Sequence, residues 1–278
     1  MKPGHNRGAT NPRKRLDFFT PLANIGLMDF SSNHGTHRPK VLIVLHQEHS
    51  SPGRVGQELV KRGFALDIRK PRFGDSLPDT MRGHAGSVIF GGPMSANDPD
   101  GFIHKEIDWI KVPLQEEAPF LGICLGAQMM VKQLGGTVSG HRDELVEIGY
   151  YPLKPTEAGK DLMDWPKKVY QWHREGFDLP SGADLLATSP TYPNQAIRVG
   201  PAAYGIQFHP ELTHQMMVKW TTKGAPRMEL PGAQQRRDHF AGRFVYDTAV
   251  RAWLDRFLDL WIGTAEAPVQ HNRLKAAE

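Results

Sequence analysis

A single cysteine, Cys124, stands in a chain of 278 residues, so no intramolecular disulfide forms and no cysteine-rich metal site is available. A free thiol suits a reducing compartment, and the chain reads as cytoplasmic. Nowhere does the sequence approach the roughly 18 consecutive apolar residues that cross a bilayer. Its longest apolar runs are broken by Gly, Pro or charge within a few residues, so no membrane association is expected. The stretch "DFFTPLANIGLMDF" is too short and too interrupted to serve as the apolar region of a signal peptide. An excess of one charge is also scarce. The net charge is +4, and much of it lies in "NRGATNPRKR", with Arg7, Arg13, Lys14 and Arg15. That is the pattern of a solvated basic arm rather than of a nucleic-acid interface.

Residues 1–38, rich in Gly, Asn, Pro, Ser and His, read as a flexible basic extension whose first 27 residues are dispensable. Residues 39–265 read as one domain and 266–278 as a tail. From Lys40 the run "VLIVLHQ" has the β-branched apolar character of a strand covered on both faces. A helix follows, with Val55, Leu59 and Val60 on its apolar face and Gly63 as its stop. "FALDIRK", "SVIFGG" and "PFLGIC" give three more strands. Between the last two, "HKEIDWIKVPLQEEA" places Ile107, Ile110 and Leu114 on one helical face, with Pro113 as a kink or break. Strand alternating with helix predicts an α/β fold with a doubly wound, mostly parallel sheet. The short strands of the second half, "ELVEIGYYPL", "KVYQWH", "DLLATS", "NQAIRV" and "AYGIQFHP", read as the remainder of a mixed sheet. Near the end, Phe240, Phe244, Val250, Trp253, Leu254, Phe257 and Trp261 predict a long amphipathic helix docked by that face.

The only cysteine lies in Gly122-Ile123-Cys124-Leu125-Gly126, which has the G-x-C-x-G form of a nucleophile elbow. Such a turn from strand to helix exposes the middle side chain, and the glycines avoid clashes. A thiol there faces the positive end of the following helix, which favours the reactive thiolate over an inert core cysteine. "YGIQFHPEL" supplies His209 and Glu211, two residues apart in extended chain and therefore on one side, with Pro210 holding the first extended. A carboxylate behind an imidazole is the support that a histidine base needs. Elbow geometry also makes the Leu125 amide an oxyanion donor.

The ordered motifs "IFGGPMS", "GICLGAQ" and "YGIQFHPE", together with "WH" and "FDLPSGADLLATS", resemble the class I glutamine amidotransferases, in particular stand-alone proteins similar to the glutaminase half of GMP synthase. The resemblance implies a flavodoxin-like fold, with Cys124 as nucleophile, His209 as base and then acid, and Glu211 as the orienting group. It implies a second oxyanion donor at Gly92, with Gly91 the near alternative, and substrate contacts from Gln128, His173 and Glu175. Where such proteins commonly have His-Gly-Asp, this chain has His173-Arg174-Glu175. No cofactor and no metal are implied. His46 and His49 are three apart, but zinc needs three or four ligands, so they are expected to shape the pocket mouth instead. Neither a Walker phosphate loop nor an "SGG-x-D-S" motif occurs, so a complete synthase is not expected. Three readings remain. The first is a glutaminase that passes ammonia to a separate synthase, the second a hydrolase of γ-glutamyl peptides or amines, and the third a non-enzymatic protein on the same fold.

Overall fold

Side chains alternate across a strand, and in the first strand both sets are buried. A computed structural model describes residues 38–265; the expectations for the extension and the tail lie outside the described residues. In β1 (Lys40–Val44), Val41 and Ile43 face one core and Leu42 and Val44 another, which is why the strand is apolar at every position after Lys40. The chain continues through α1 (Gly53–Lys61), β2 (Ala65–Arg69), β3 (His84–Ile89), α2 (Gly101–Trp109), α3 (Lys111–Gln115), β4 (Phe120–Ile123) and α4 (Leu125–Gln133). Then come β5 (Val138–Gly140), β6 (Glu147–Pro152), β7 (Lys154–Pro155), α5 (Glu157–Leu162), β8 (Lys168–His173), β9 (Glu175–Phe177), β10 (Ala183–Thr188), β11 (Ala196–Val199) and β12 (Ala203–Ile206). Helices α6 (His214–Lys223) and α7 (Arg236–Trp261) complete the described order.

The main sheet has eight strands in the order β2-β1-β3-β4-β12-β11-β10-β7. β2, β1, β3, β4 and β12 run parallel, and the last three strands add antiparallel pairs. This is the expected doubly wound, flavodoxin-like arrangement. One core layer joins Val55 and Leu59 of α1 to Trp253, Leu254, Phe257 and Trp261 of α7. The opposite layer joins Ile103 of α2 to Met129 and Met130 of α4.

Three local expectations need correction, and a fourth, the break at Pro113, gains a position. β6 and β8 do not extend the main sheet but pair with each other, as do β5 and β9, in separate two-stranded antiparallel sheets. Pro113 does break the helix, but four residues earlier, at Trp109, whose carbonyl its ring would strike. Val60 is 47% exposed, one step round the helix from buried Leu59. Phe244 is 93% exposed, because it lies six residues before Val250 and so about 120° round the helix from the buried stripe.

Candidate active site

Cys124 joins β4 to α4 with φ +52° and ψ −105°. A non-glycine residue held there carries about 1–3 kcal/mol of strain, and such strain persists where surrounding structure enforces it. The Cys124 amide donates to the Ile206 carbonyl at 2.7 Å, and its carbonyl accepts from Gln128 at 3.0 Å to start the helix. The flanking glycines permit the close approach. A Cβ on Gly122 would stand 2.6 Å from the Gly126 carbonyl oxygen, and one on Gly126 would strike the Ile89 carbonyl.

His209 lies just past the end of β12, beside β4 in the sheet. Its amide donates to the Tyr170 carbonyl at 2.9 Å, and its Nδ1 donates to Glu211 Oε1 at 2.7 Å, with both side chains buried. Nε2 makes no hydrogen bond of good geometry, which leaves it open on the side of Cys124. Both residues pack against Gly91, where an added Cβ would meet His209 Cε1 at 2.9 Å and Cys124 Cβ at 3.4 Å. Burial opposes a charged imidazole, but the Glu211 carboxylate and the nearby Cys124 sulfur outweigh it, and His209 is pushed up to about 10. The loop itself is pinned from α1. The Arg54 amide donates to the Glu211 carbonyl at 2.8 Å, and its buried guanidinium grips Asp247 at 2.8 and 2.9 Å. Burial lowers the Arg54 pKa, with Asp247 opposing.

A family model described as glutamine amidotransferase class-I matches residues 50–221, more than half of the chain. The chain belongs to the class I glutamine amidotransferases. It is 29% identical over 239 residues to the glutamine amidotransferase-like protein YfeJ of Salmonella typhimurium, covering 79% of this chain and 96% of YfeJ. It is 34% identical over 167 residues to the glutamine-hydrolysing GMP synthase of Aeropyrum pernix, covering 57% of this chain but only 31% of that protein. A crystal structure of a glutamine amidotransferase from Thermotoga maritima aligns with a TM-score of 0.74 at 28% identity, over 82% of this chain and all of the other.

Two cavities meet at Cys124 in this amidotransferase. The smaller, about 130 Å³, is lined by Gly92, Cys124, Leu125, Gln128, His173 and Glu175. The larger, about 690 Å³, takes in Gly91, Gly92, Cys124, His209 and Glu211. Every residue singled out by sequence for the reaction therefore borders one cavity or the other. Gln128 Nε2 donates to the Glu175 carbonyl at 2.8 Å and to Gln207 Oε1 at 3.2 Å. Both nitrogens of His173 are engaged by protein, Nδ1 with the Glu175 carbonyl at 3.0 Å and Nε2 with Glu147 Oε2 at 3.1 Å. Glu147 and His173 are opposite one another in the β6–β8 pair, and Glu147 also accepts from Ser189 and Gln195.

His46 is not at the pocket mouth. It is fully buried, with Nδ1 donating to the Gly91 carbonyl at 3.2 Å and Nε2 lying 2.7 Å from Glu106 Oε2. In a trans peptide the carbonyl and the next N–H point opposite ways, so this bond sets the direction of the Gly92 N–H. His49, by contrast, is exposed and lines the larger cavity. Sequence reading missed Glu106, yet a signal was there: it shares a helical face with Ile103, where a carboxylate requires a buried partner. Glu147 and Arg54 gave no comparable signal. Among the described residues, no group of three or more His, Cys, Asp or Glu converges to hold a metal, and no helix is long and apolar enough to cross a membrane.

Proposed function

We propose that the protein hydrolyses the γ-carboxamide of glutamine through a γ-glutamyl thioester on Cys124 and releases ammonia. The observation that carries this reading is the strained elbow at Cys124, facing an imidazole whose open Nε2 lies on the thiol side and whose charge Glu211 and Cys124 favour. The Cys124 thiolate attacks the γ-carbonyl carbon, and the developing oxyanion is held by the amides of Gly92 and Leu125. His209, already an imidazolium, gives its Nε2 proton to the nitrogen as the C–N bond breaks. Nε2 then takes a proton from water, the resulting hydroxide attacks the thioester, and the C–S bond breaks to restore thiolate and free glutamate. Glu211 holds the ring throughout. The Glu175 carboxylate, which forms no ion pair among the described residues, suits the ammonium of the substrate, with Gln128 and His173 fixing the Glu175 backbone.

Likeness to part of GMP synthase supports a separate synthase as the acceptor of the ammonia. A second reading, hydrolysis of a γ-glutamyl peptide or amine by the same residues, is favoured by the large cavity beside His209. The test is the product balance. Purified full-length protein is expected to release glutamate and ammonia from glutamine in equal amounts, and Cys124→Ala to release neither; undiminished release by Cys124→Ala overturns the proposal.

A further inference from the structure

We infer that the larger cavity seats the leaving group, and that it takes an amine bearing an anionic group, so that the substrate class is a γ-glutamyl amide of an amino acid or similar acidic amine. This rests on the reading of Cys124 and His209 given above. The proton for the leaving nitrogen comes from His209, and His209 borders the larger cavity but not the smaller one. The acyl chain therefore extends into the 130 Å³ cavity and the departing amine into the 690 Å³ one. Ammonia, close to water in size, needs only roughly 30 Å³, whereas roughly 300–1,000 Å³ is usual for small-molecule sites.

The lining of that cavity indicates what fills it. Arg72, Lys219, Lys223 and Arg227 border it, and none of the four forms an ion pair among the described residues. Lys219 is half-buried, with Nζ on the His49 carbonyl at 3.2 Å; the other three are exposed, Arg72 with Nη1 on the His46 carbonyl at 3.4 Å and Arg227 lining the smaller cavity as well. The carboxylates on the wall are Glu211, engaged with His209, and Glu48, which lies 3.8 Å from His49. The side chains left over are cationic. Trp172 and Trp220 supply an aromatic wall beside His209, whose ring meets Trp220 edge-on at 5.0 Å. Such a site holds a carboxylate on a short carbon frame. Bonds balance as for glutamine: S–C forms, C–N breaks, His209 protonates the amine, and water then releases glutamate and restores the thiolate.

The test is steady-state kinetics of the full chain on glutamine, γ-glutamyl-methylamide, γ-glutamyl-glycine and γ-glutamyl-glutamate. The two acidic amides are expected to exceed both glutamine and the methylamide in kcat/KM by about tenfold or more, the size of one charge-assisted contact. The advantage should shrink as salt rises. In Lys219→Glu and Lys223→Glu the ratio of γ-glutamyl-glycine to methylamide should fall by about the same factor. Equal rates for neutral and acidic leaving groups overturn the inference while leaving the thioester mechanism standing, as does glutamine turnover that leads the panel and rises on adding a cell extract. A folded sample that turns over no γ-glutamyl compound overturns both.

Discussion

His209 holds its proton more tightly than a free imidazole, because Glu211 and Cys124 together outweigh its burial. Its folded pKa stands above the roughly 6.5 of an unfolded histidine. The stability its charge contributes is therefore complete below that value and is lost as the pH rises toward about 10. The Tm difference between wild type and His209→Gln should narrow across that window, and a difference independent of pH would contradict the assignment. In turnover the three residues should rank unequally. Cys124→Ala and His209→Ala are expected to lose about 10⁴-fold or more, and Glu211→Ala less, since in the proposed mechanism it orients and changes no bond. His46 acts at one remove. Its bond to the Gly91 carbonyl fixes the Gly92 N–H, so His46→Leu should lower kcat by about tenfold or more while alkylation of Cys124 proceeds as in wild type. Unchanged kcat would show that the Gly91–Gly92 peptide holds its direction without the imidazole. The meeting of Cys124, His209 and Glu211 was legible in sequence because elbow and His-Pro-Glu are local patterns. The partners Glu106 and Glu147 reach their histidines across 60 and 26 positions, a separation no local pattern encodes.

At the scale of elements, α1 braces the loop that carries His209. Gly53 takes φ +52° against the Glu211 carbonyl, which an added Cβ would strike, and Arg54 ties the same loop to Asp247 on α7. Arg54→Ala removes the bidentate partner of Asp247 but leaves it Arg243 at 3.3 Å, and is expected to cost about 1–3 kcal/mol in urea denaturation. A change below the error of the midpoint would show that the brace is redundant. Phe244 makes the opposite case, and Phe244→Ser should stay within about 0.5 kcal/mol of wild type despite the loss of a large apolar side chain. The strands of the first half were readable because burial on both faces leaves a continuous apolar run. Partners are another matter. β6 and β8 have the same composition whether they join the main sheet or each other, and pairing of distant strands is decided by the packing of Tyr150 and Tyr170 beneath α6 and α7.

Across the whole molecule, the order β2-β1-β3-β4-β12 brings the carboxyl ends of β1, β3, β4 and β12 to one edge, beside the switch between β1 and β3. His46, Gly91, Cys124 and His209 follow those four strands in turn, so sheet topology alone collects residues spread over more than half the chain. Two cavities of unequal size open from that edge, and Cys124 lines both. The central claim is that Cys124 becomes acylated by the γ-carbonyl of the substrate. Its most direct test is treatment of the native full-length protein with an electrophilic glutamine analogue, followed by intact mass and peptide mapping. The account predicts one adduct, on Cys124, slowed by added γ-glutamyl substrate and absent from Cys124→Ala. A folded protein that gains no adduct, or gains it elsewhere with Cys124 untouched, would contradict it.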